Sequence, residues 1–292
     1  MIVSVITPSY NRSEYLNKLN SSLENQTNKS FEWILVDDGS SDNTQEVFLN
    51  LKGTIDKKYF YKDNGGKHTA LNLGVSKAKG ELIVILDSDD ILLPTAVETI
   101  INDWINLLEK ENVAGIAYLK GYINSGKIVG DIFPIEGIFN NIDVRYHEKI
   151  KGDKCEVIRS DILKKYQFPE IANENFISEC IVWNRISKKY NFAYRNVIIY
   201  LCEYLESGLS SNVRRLFMNN PVGVLIMENE KTTKEFPIKD RIISTLQYIS
   251  YSKIANLSFK IILANSKNRL LTLSLYPFGL LLTLLKKSRI ND

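Results

Sequence analysis

Two short runs of strand-forming residues, each ending in an acidic cluster, constrain this chain more than any other feature. Phe31-Glu32-Trp33-Ile34-Leu35-Val36 leads into Asp37-Asp38-Gly39-Ser40, and Glu81-Leu82-Ile83-Val84-Ile85-Leu86 leads into Asp87-Ser88-Asp89-Asp90. Nearly continuous apolar runs of this length read as buried parallel strands. Both clusters then emerge outside the carboxyl ends of the strands, where open α/β sheets bind their ligands. Carboxylates crowded into one crevice repel each other unless a cation or ligand hydrogen bonds compensate them, which points to a divalent metal and a phosphorylated ligand. The plainer reading makes these acids turn formers and helix caps. Asp42-x-x-Gln45 has the capping-box pattern, and Gly39 and Ser40 suit a turn. That reading covers the first cluster and fits the second poorly, because Asp87, Asp89 and Asp90 leave an apolar strand and precede Ile91-Leu92-Leu93-Pro94.

The first half alternates between the two periods. Residues 2–7 read as a strand closed by Pro8, and residues 13–26 have helical spacing at Tyr15, Leu16, Leu19 and Leu23 with Ser13 as N-cap. A helix follows over residues 42–51, then a short strand over 58–62. Asn64-Gly65-Gly66 turns the chain into a helix over 67–78, which Gly80 ends. After the strand that delivers Asp87, a helix spans 95–109 and residues 113–122 return to the sheet. This order predicts an α/β fold, with helices on both faces of a mostly parallel sheet. Residues 121–153 are punctuated by glycine and weakly patterned, 174–188 read as helix, 192–205 as extended, and almost everything after residue 238 as helix.

At 292 residues the chain is long enough for a complete α/β core with a smaller appended region. The sequence divides into a ligand-binding α/β half over 1–120, a second half of the same domain over 121–237, and a helical tail over 238–292. Cys155, Cys180 and Cys202 are odd in number and lack metal spacing, which favours reduced thiols over a disulfide framework. Met1 runs straight into Ile2-Val3-Ser4-Val5-Ile6 without a basic, cleavable leader, so the expected location is cytoplasmic.

Val3-Ser4-Val5-Ile6-Thr7-Pro8-Ser9-Tyr10-Asn11-Arg12, Val36-Asp37-Asp38-Gly39-Ser40-Ser41-Asp42 and Leu86-Asp87-Ser88-Asp89-Asp90, in that order, resemble the family 2 glycosyltransferases with the GT-A fold. The resemblance covers about residues 2–205 and is strong through Pro94. It implies transfer of a sugar from a nucleoside diphosphate sugar, with inversion at the anomeric carbon. It also implies that Pro8, Tyr10, Asp37 and Asp38 hold the nucleoside. Tyr10 offers a flat face for a base, or is a core aromatic at a strand end; Asp38 is able to accept the imide hydrogen of uracil. Asp87 and Asp89 suit Mn2+ or Mg2+ bridging the diphosphate, with Ser88 between them beside the nucleotide. An Asn-Gly-Gly stretch occupies the same interval in the family, which makes Lys67 and His68 candidates for the diphosphate or the donor sugar; a helix-cap or surface role is the alternative for His68. Inversion needs a base for the acceptor hydroxyl. The family draws it from a late helix with an Arg six residues on, a pattern that Glu179 and Arg185 match and for which Glu174 is a rival. Trp183 shares that helical face, as core or as sugar platform. A nucleotidyltransferase and a non-catalytic sugar-nucleotide-binding partner of another transferase are the competing functions.

The tail carries the basic charge. Net charge is +3 overall, yet residues 231–292 hold eleven Lys and Arg against Glu235, Asp240 and Asp292. Residues 270–285 are apolar apart from a few hydroxyls, shorter than the roughly twenty needed to cross a bilayer, and interrupted by Pro277 and Gly279. Lys286, Lys287 and Arg289 follow. Ile242, Leu246, Ile249, Ile254, Leu257 and Ile261 form an approximate apolar stripe ahead of it. The combination predicts peripheral association with the inner face of the plasma membrane and a glycan or lipid-linked acceptor, with a helical cap or a homodimer contact as the alternative. No feature points to nucleic acid.

Overall fold

The computed structural model describes residues 2–203 and 213–288. A single sheet organises the domain. β1 (Val3–Ser9), β2 (Phe31–Asp37), β3 (Asp56–Tyr61) and β4 (Leu82–Ile85) form a parallel block in the order β3-β2-β1-β4. The sheet continues with β5 (Ile91–Leu92), β6 (Val113–Tyr122), β7 (Gly137–Phe139), β8 (Lys154–Arg159) and β9 (Asn191–Cys202). β8 pairs antiparallel with β4 and β6, β6 runs parallel to β9, and β5 and β7 join β9 antiparallel. The parallel sheet expected from the sequence is thus the first four strands, and the second half is mixed.

Strand alternation sorts the core onto two faces. Val3, Val5, Trp33, Leu35 and Val84 pack with α1 (Leu16–Glu24), α2 (Thr44–Asn50) and α4 (Ala96–Asn106). Ile6, Ile34, Val36 and Ile83 face α3 (Lys67–Lys77), α5 (Ser160–Lys165) and α6 (Cys180–Ser187). Each of these buried side chains contributes about 1.5–3 kcal/mol of transfer free energy, so either face alone is enough to hold its helices on the sheet. Glu32 is the exception on β2: fully buried, its carboxylate accepts from Ser4 Oγ at 2.6 Å and the Lys79 amide at 2.7 Å, and pairs with Lys58.

Several expected boundaries move for identifiable reasons. β1 runs through Pro8 to Ser9. Ile6 O accepts from Leu86 on the β4 side, and two residues on the same side belongs to Pro8, where β4 has ended and no N–H is needed. Ser13 opens a short 3-10 turn without a side-chain cap, its own amide donating to Asp42 at 3.0 Å. Asp42 caps α2 from one residue ahead of its N-cap, accepting from the Thr44 amide and hydroxyl, so the expected pairing with Gln45 is replaced by an Asx turn. The helix expected over 174–188 begins only at Cys180; residues 174–178 have no regular secondary structure, and Glu174 accepts from the Val222 and Gly223 amides.

Helices begin earlier in the tail than residue 238. α7 (Val213–Asn219) and α8 (Pro221–Glu230) precede α9 (Ile238–Ile254), α10 (Phe259–Asn265) and α11 (Arg269–Ser288). The stripe from Ile242 to Ile261 is broken by the α9–α10 turn; α9 buries Thr245, Tyr248, Ile249 and Ser252 and turns Ile242 outward. α11 is one 20-residue helix through Pro277, long and apolar enough to cross a membrane by length and composition, which corrects the shorter, interrupted segment. Gly279 sets it against α9: a Cβ there would lie 2.6 Å from Ile249 Cβ. Leu205 and Arg289 lie outside the described residues.

Candidate active site

The ends of β1 and β2 build one wall of a crevice. Asn11 adopts a left-handed φ of 51°, and its side-chain oxygen accepts from the Ser41 amide at 2.8 Å while its own amide donates to Ser40 Oγ at 2.9 Å. These bonds tie the two loops together. Tyr10 stands between them with half its surface exposed, and Pro8 is buried beneath. Asp37 accepts from the Ser40 amide at 2.7 Å and the Tyr59 hydroxyl at 2.6 Å. Asp38 accepts from Lys62 Nζ at 2.7 Å, the Gly65 amide at 3.0 Å and the Gly66 amide at 2.7 Å. Both carboxylates therefore brace the loops, and a uracil imide on Asp38 would share oxygens already engaged.

The Gly65-Gly66 turn aims α3 at the second acidic cluster. Gly66 has a φ of 92°, and a Cβ there would fall 1.9 Å from the Asn175 carbonyl, so only glycine lets the segment before α6 approach so closely. Lys67 then reaches across the crevice. Its Nζ lies 2.7 Å from Asp87 Oδ1 and 2.8 Å from Glu179 Oε1. Burial works against its charge, but Asp87 and Glu179 outweigh that and hold the ammonium above the ordinary lysine value. Burial likewise opposes the Asp87 carboxylate, and Lys67 and then Lys120 keep it lowered. His68 is buried on the same turn, neither ring nitrogen has a hydrogen-bond partner among the described residues, and burial pushes it below the usual histidine value.

The acidic cluster itself is held from β9. Tyr200 donates its hydroxyl to Asp90 at 2.6 Å and accepts from the Asp87 amide at 3.1 Å. Ser88 and Asp90 are buried, and burial with the nearby Asp87 charge pushes Asp90 up to about 7. Asp89 is raised for the same two reasons, burial first and Asp87 second. Asp87 has Lys67 and Lys120 beside it, while Asp89 keeps a raised value despite Arg12 and Lys67; carboxylates are the hard oxygen donors that Mg2+ or Mn2+ takes. Among the described residues there is no cluster of three or more metal-binding side chains. Asp87 and Asp89 are the two carboxylates that would hold such an ion.

Glu179 and Glu174 part company. Glu179 is the N-cap residue of α6 and faces a cavity of about 370 Å³ that also admits Lys67, His68, Asp87 and Trp183. Glu174 is buried and accepts from the Val222 and Gly223 amides, both at 2.6 Å, at the start of α8. Arg185 forms a two-pronged pair with Glu230 of α8, and Trp183 packs edge-on against Phe168 in the core. Sequence reasoning missed Lys62, Lys120, Glu156 and Tyr200. Lys120 carried a readable signal, as a lone lysine in the otherwise apolar 113–122 strand.

Residues 4–166 match the sequence profile of Glycosyl transferase family 2, more than half of the chain. The chain belongs to glycosyltransferase family 2. A relative from Campylobacter jejuni, GalNAc(5)-diNAcBac-PP-undecaprenol beta-1,3-glucosyltransferase, is 30% identical over 241 residues, covering 78% of this chain and 74% of the relative. Poly(ribitol-phosphate) beta-N-acetylglucosaminyltransferase TarP of Staphylococcus aureus is 34% identical over 164 residues, 55% of this chain and 45% of its own length. Among solved structures, S. aureus TarS 1-349 in complex with UDP-GlcNAc superposes with a TM-score of 0.61 at 18% identity, over 96% of this chain and 90% of that one. Mannosyltransferase PcManGT from Pyrobaculum calidifontis, in complex with GDP-Man and Mn2+, gives 0.57 at 16% identity over 99% and 82%. At these identities the likeness carries the GT-A fold. This family 2 protein is a glycosyltransferase.

Proposed function

We propose that this glycosyltransferase is metal-dependent and inverting, moving a sugar from a UDP-sugar to a cell-envelope polysaccharide or lipid-linked glycan. The observation that carries the reading is the single cavity onto which both Asp87 and Glu179 open, joined by Lys67. Tyr10 and the loops braced by Asp37 and Asp38 receive the nucleoside, and the diphosphate lies at Lys67, His68, Asp87, Ser88 and Asp89. Mn2+ or Mg2+ held by Asp87 and Asp89 would act there as a Lewis acid, neutralising the departing diphosphate. The acceptor hydroxyl attacks the anomeric carbon from the side opposite the diphosphate; Glu179 takes its proton as the new C–O bond forms and the bond to the diphosphate breaks. Lys67 transfers its pairing from Glu179 to the incoming phosphate, which frees Glu179 to act as base. The choice of UDP and of a lipid-linked or wall-polymer acceptor draws on the names of TarS, TarP and the Campylobacter relative.

The test is diphosphate release from a panel of nucleotide sugars, with Mn2+ and with chelator, by the native chain and by Glu179→Gln. Release confined to UDP-sugars with metal, and a loss of about a hundredfold or more in the variant with UDP binding intact, is expected from removing a general base. A variant as fast as the native chain would remove Glu179 from the role. No release from any donor would favour a non-catalytic sugar-nucleotide-binding partner.

We also propose that α9–α11 rest on the inner face of the plasma membrane. α11 packs against α9 at Gly279, buries Thr272 and Thr283, and leaves Leu270, Leu273, Phe278, Leu281 and Leu284 more than half exposed. Lys286 and Lys287 close the helix. Lys286 turns back to Gln247 and the Tyr251 ring of α9, and Lys287 is exposed; an apolar face with an exposed lysine at its end suits the headgroup region of an anionic bilayer.

A further inference from the structure

Glu156 is a carboxyl with no evident task in the fold. It sits on β8 in register with Ala117 of β6, one residue after Cys155 and one before Val157, both of which point into the core on the far side of the sheet. Its own side chain therefore takes the face shared with α6, and there it lines the cavity together with Lys67, Asp87, Lys120 and Glu179. No hydrogen bond among the described residues engages its carboxyl. The residue is half-buried, and a carboxyl that the fold leaves without a partner inside a cavity is available to a ligand.

The reaction axis says which ligand. Asp87 marks the end of the axis where the diphosphate departs, and Glu179 the end where the acceptor hydroxyl enters. The sugar in transit has to lie between them, because its anomeric carbon is bonded to the one side and attacked from the other. Glu156 opens into the same cavity of about 370 Å³ that both of these residues line. We propose that Glu156 binds the ring hydroxyls of the transferred sugar and so selects the donor. This assignment rests on the reading of Asp87 and Glu179 above. Burial pushes Glu156 up to about 7 against the pull of Arg145 and Lys120, with Glu179 and Asp153 adding to the rise. Near neutrality the carboxyl then both donates and accepts, as a ring hydroxyl does.

Calorimetry with UDP, UDP-glucose, UDP-galactose, UDP-GlcNAc and UDP-GalNAc in the presence of Mn2+ separates the sugar from the nucleotide. The native chain should bind one or two of these sugars at least about tenfold better than their epimers, the discrimination that a buried polar group confers on a hydroxyl in the wrong position. In Glu156→Ala that spread should collapse to within about threefold while UDP affinity stays within twofold, which also certifies the fold. Glu156→Gln, nearly isosteric, should lose most of the spread too, and serves if the alanine variant fails to fold. An unchanged spread in either variant, or no spread in the native chain, overturns the assignment. A native chain that does not bind UDP at all fails earlier, at the proposed function itself.

Discussion

At the scale of the residue, the same side-chain type is put to opposite uses according to what surrounds it. Glu32 is a buried carboxylate that stays charged: burial raises it, but Lys58, the Ser4 hydroxyl and the Lys79 amide together hold it below the ordinary glutamate value. A group depressed in the folded state stabilises the fold above its unfolded value, near 4.3, and that contribution is lost as pH falls through the folded value. Glu32→Gln leaves Lys58 with only the more exposed Asp56, at 3.2 Å. Chemical denaturation at pH 7 should show a loss of about 1–3 kcal/mol, and the gap between variant and native chain should narrow below pH 4; a constant gap would remove the charge from the explanation. Asp89 is the contrary case, raised because burial and Asp87 disfavour its charge more than a backbone hydrogen bond, Arg12 and Lys67 favour it. A ligand cation would favour the charge. UDP affinity measured by calorimetry with Mn2+ should accordingly drop by about tenfold or more in Asp89→Ala. Equal affinity with Mn2+, with chelator and in the variant would defeat the metal bridge.

At the scale of the element, helix termini do most of the positioning. α3 starts at Gly66 and points Lys67 into the cavity, α6 starts at Glu179, and α8 starts against Glu174. The last two explain why neighbouring glutamates of one stretch diverge. Two amides at the start of α8 hold the Glu174 carboxylate away from the cavity, whereas Glu179, at the N-cap of α6, faces it with its carboxylate on Lys67. Glu174→Ala should therefore cost stability, about 0.5–2 kcal/mol as for a lost N-cap. Transfer per folded molecule at low temperature should change far less than in Glu179→Gln. Loss of transfer with an unchanged melting temperature would instead make Glu174 the base.

At the scale of the whole molecule, the basic tail and the catalytic cavity belong to one body, because α8 is tied to α6 by the Arg185–Glu230 pair and to α9 by direct packing. A tail lying on a bilayer would thus hold the cavity at a set height above it. Co-sedimentation with anionic vesicles tests this on the full chain. Binding should weaken as salt rises, since each Lys or Arg near such a surface contributes about 1 kcal/mol that screening removes. A part should persist through the apolar face of α11, and Leu281→Glu with Leu284→Glu should abolish that part. A full chain that stays soluble at low salt would assign the face to another protein surface.

The strands of the first half and their acidic ends were legible because they are local: period, turn residues and charge sit within ten residues of each other. The sheet class followed from their alternation with helices. In the second half the extended run over 192–205 was legible, as β9, but β7, β8 and the start of α6 were not, since they owe their limits to partners far along the chain. Glu156 illustrates the difference. In sequence it is one acid in Lys154-Cys155-Glu156-Val157, indistinguishable from a surface strand residue; only the pairing of β8 with β4 and β6 turns it toward Glu179. Sequence by itself thus determined which carboxylates end which strands, through short-range periodicity and turn chemistry. The tertiary structure decided which of them share one cavity, because that depends on crossovers bringing β8, α3 and α6 to a common edge and on Gly66 allowing their backbones to meet.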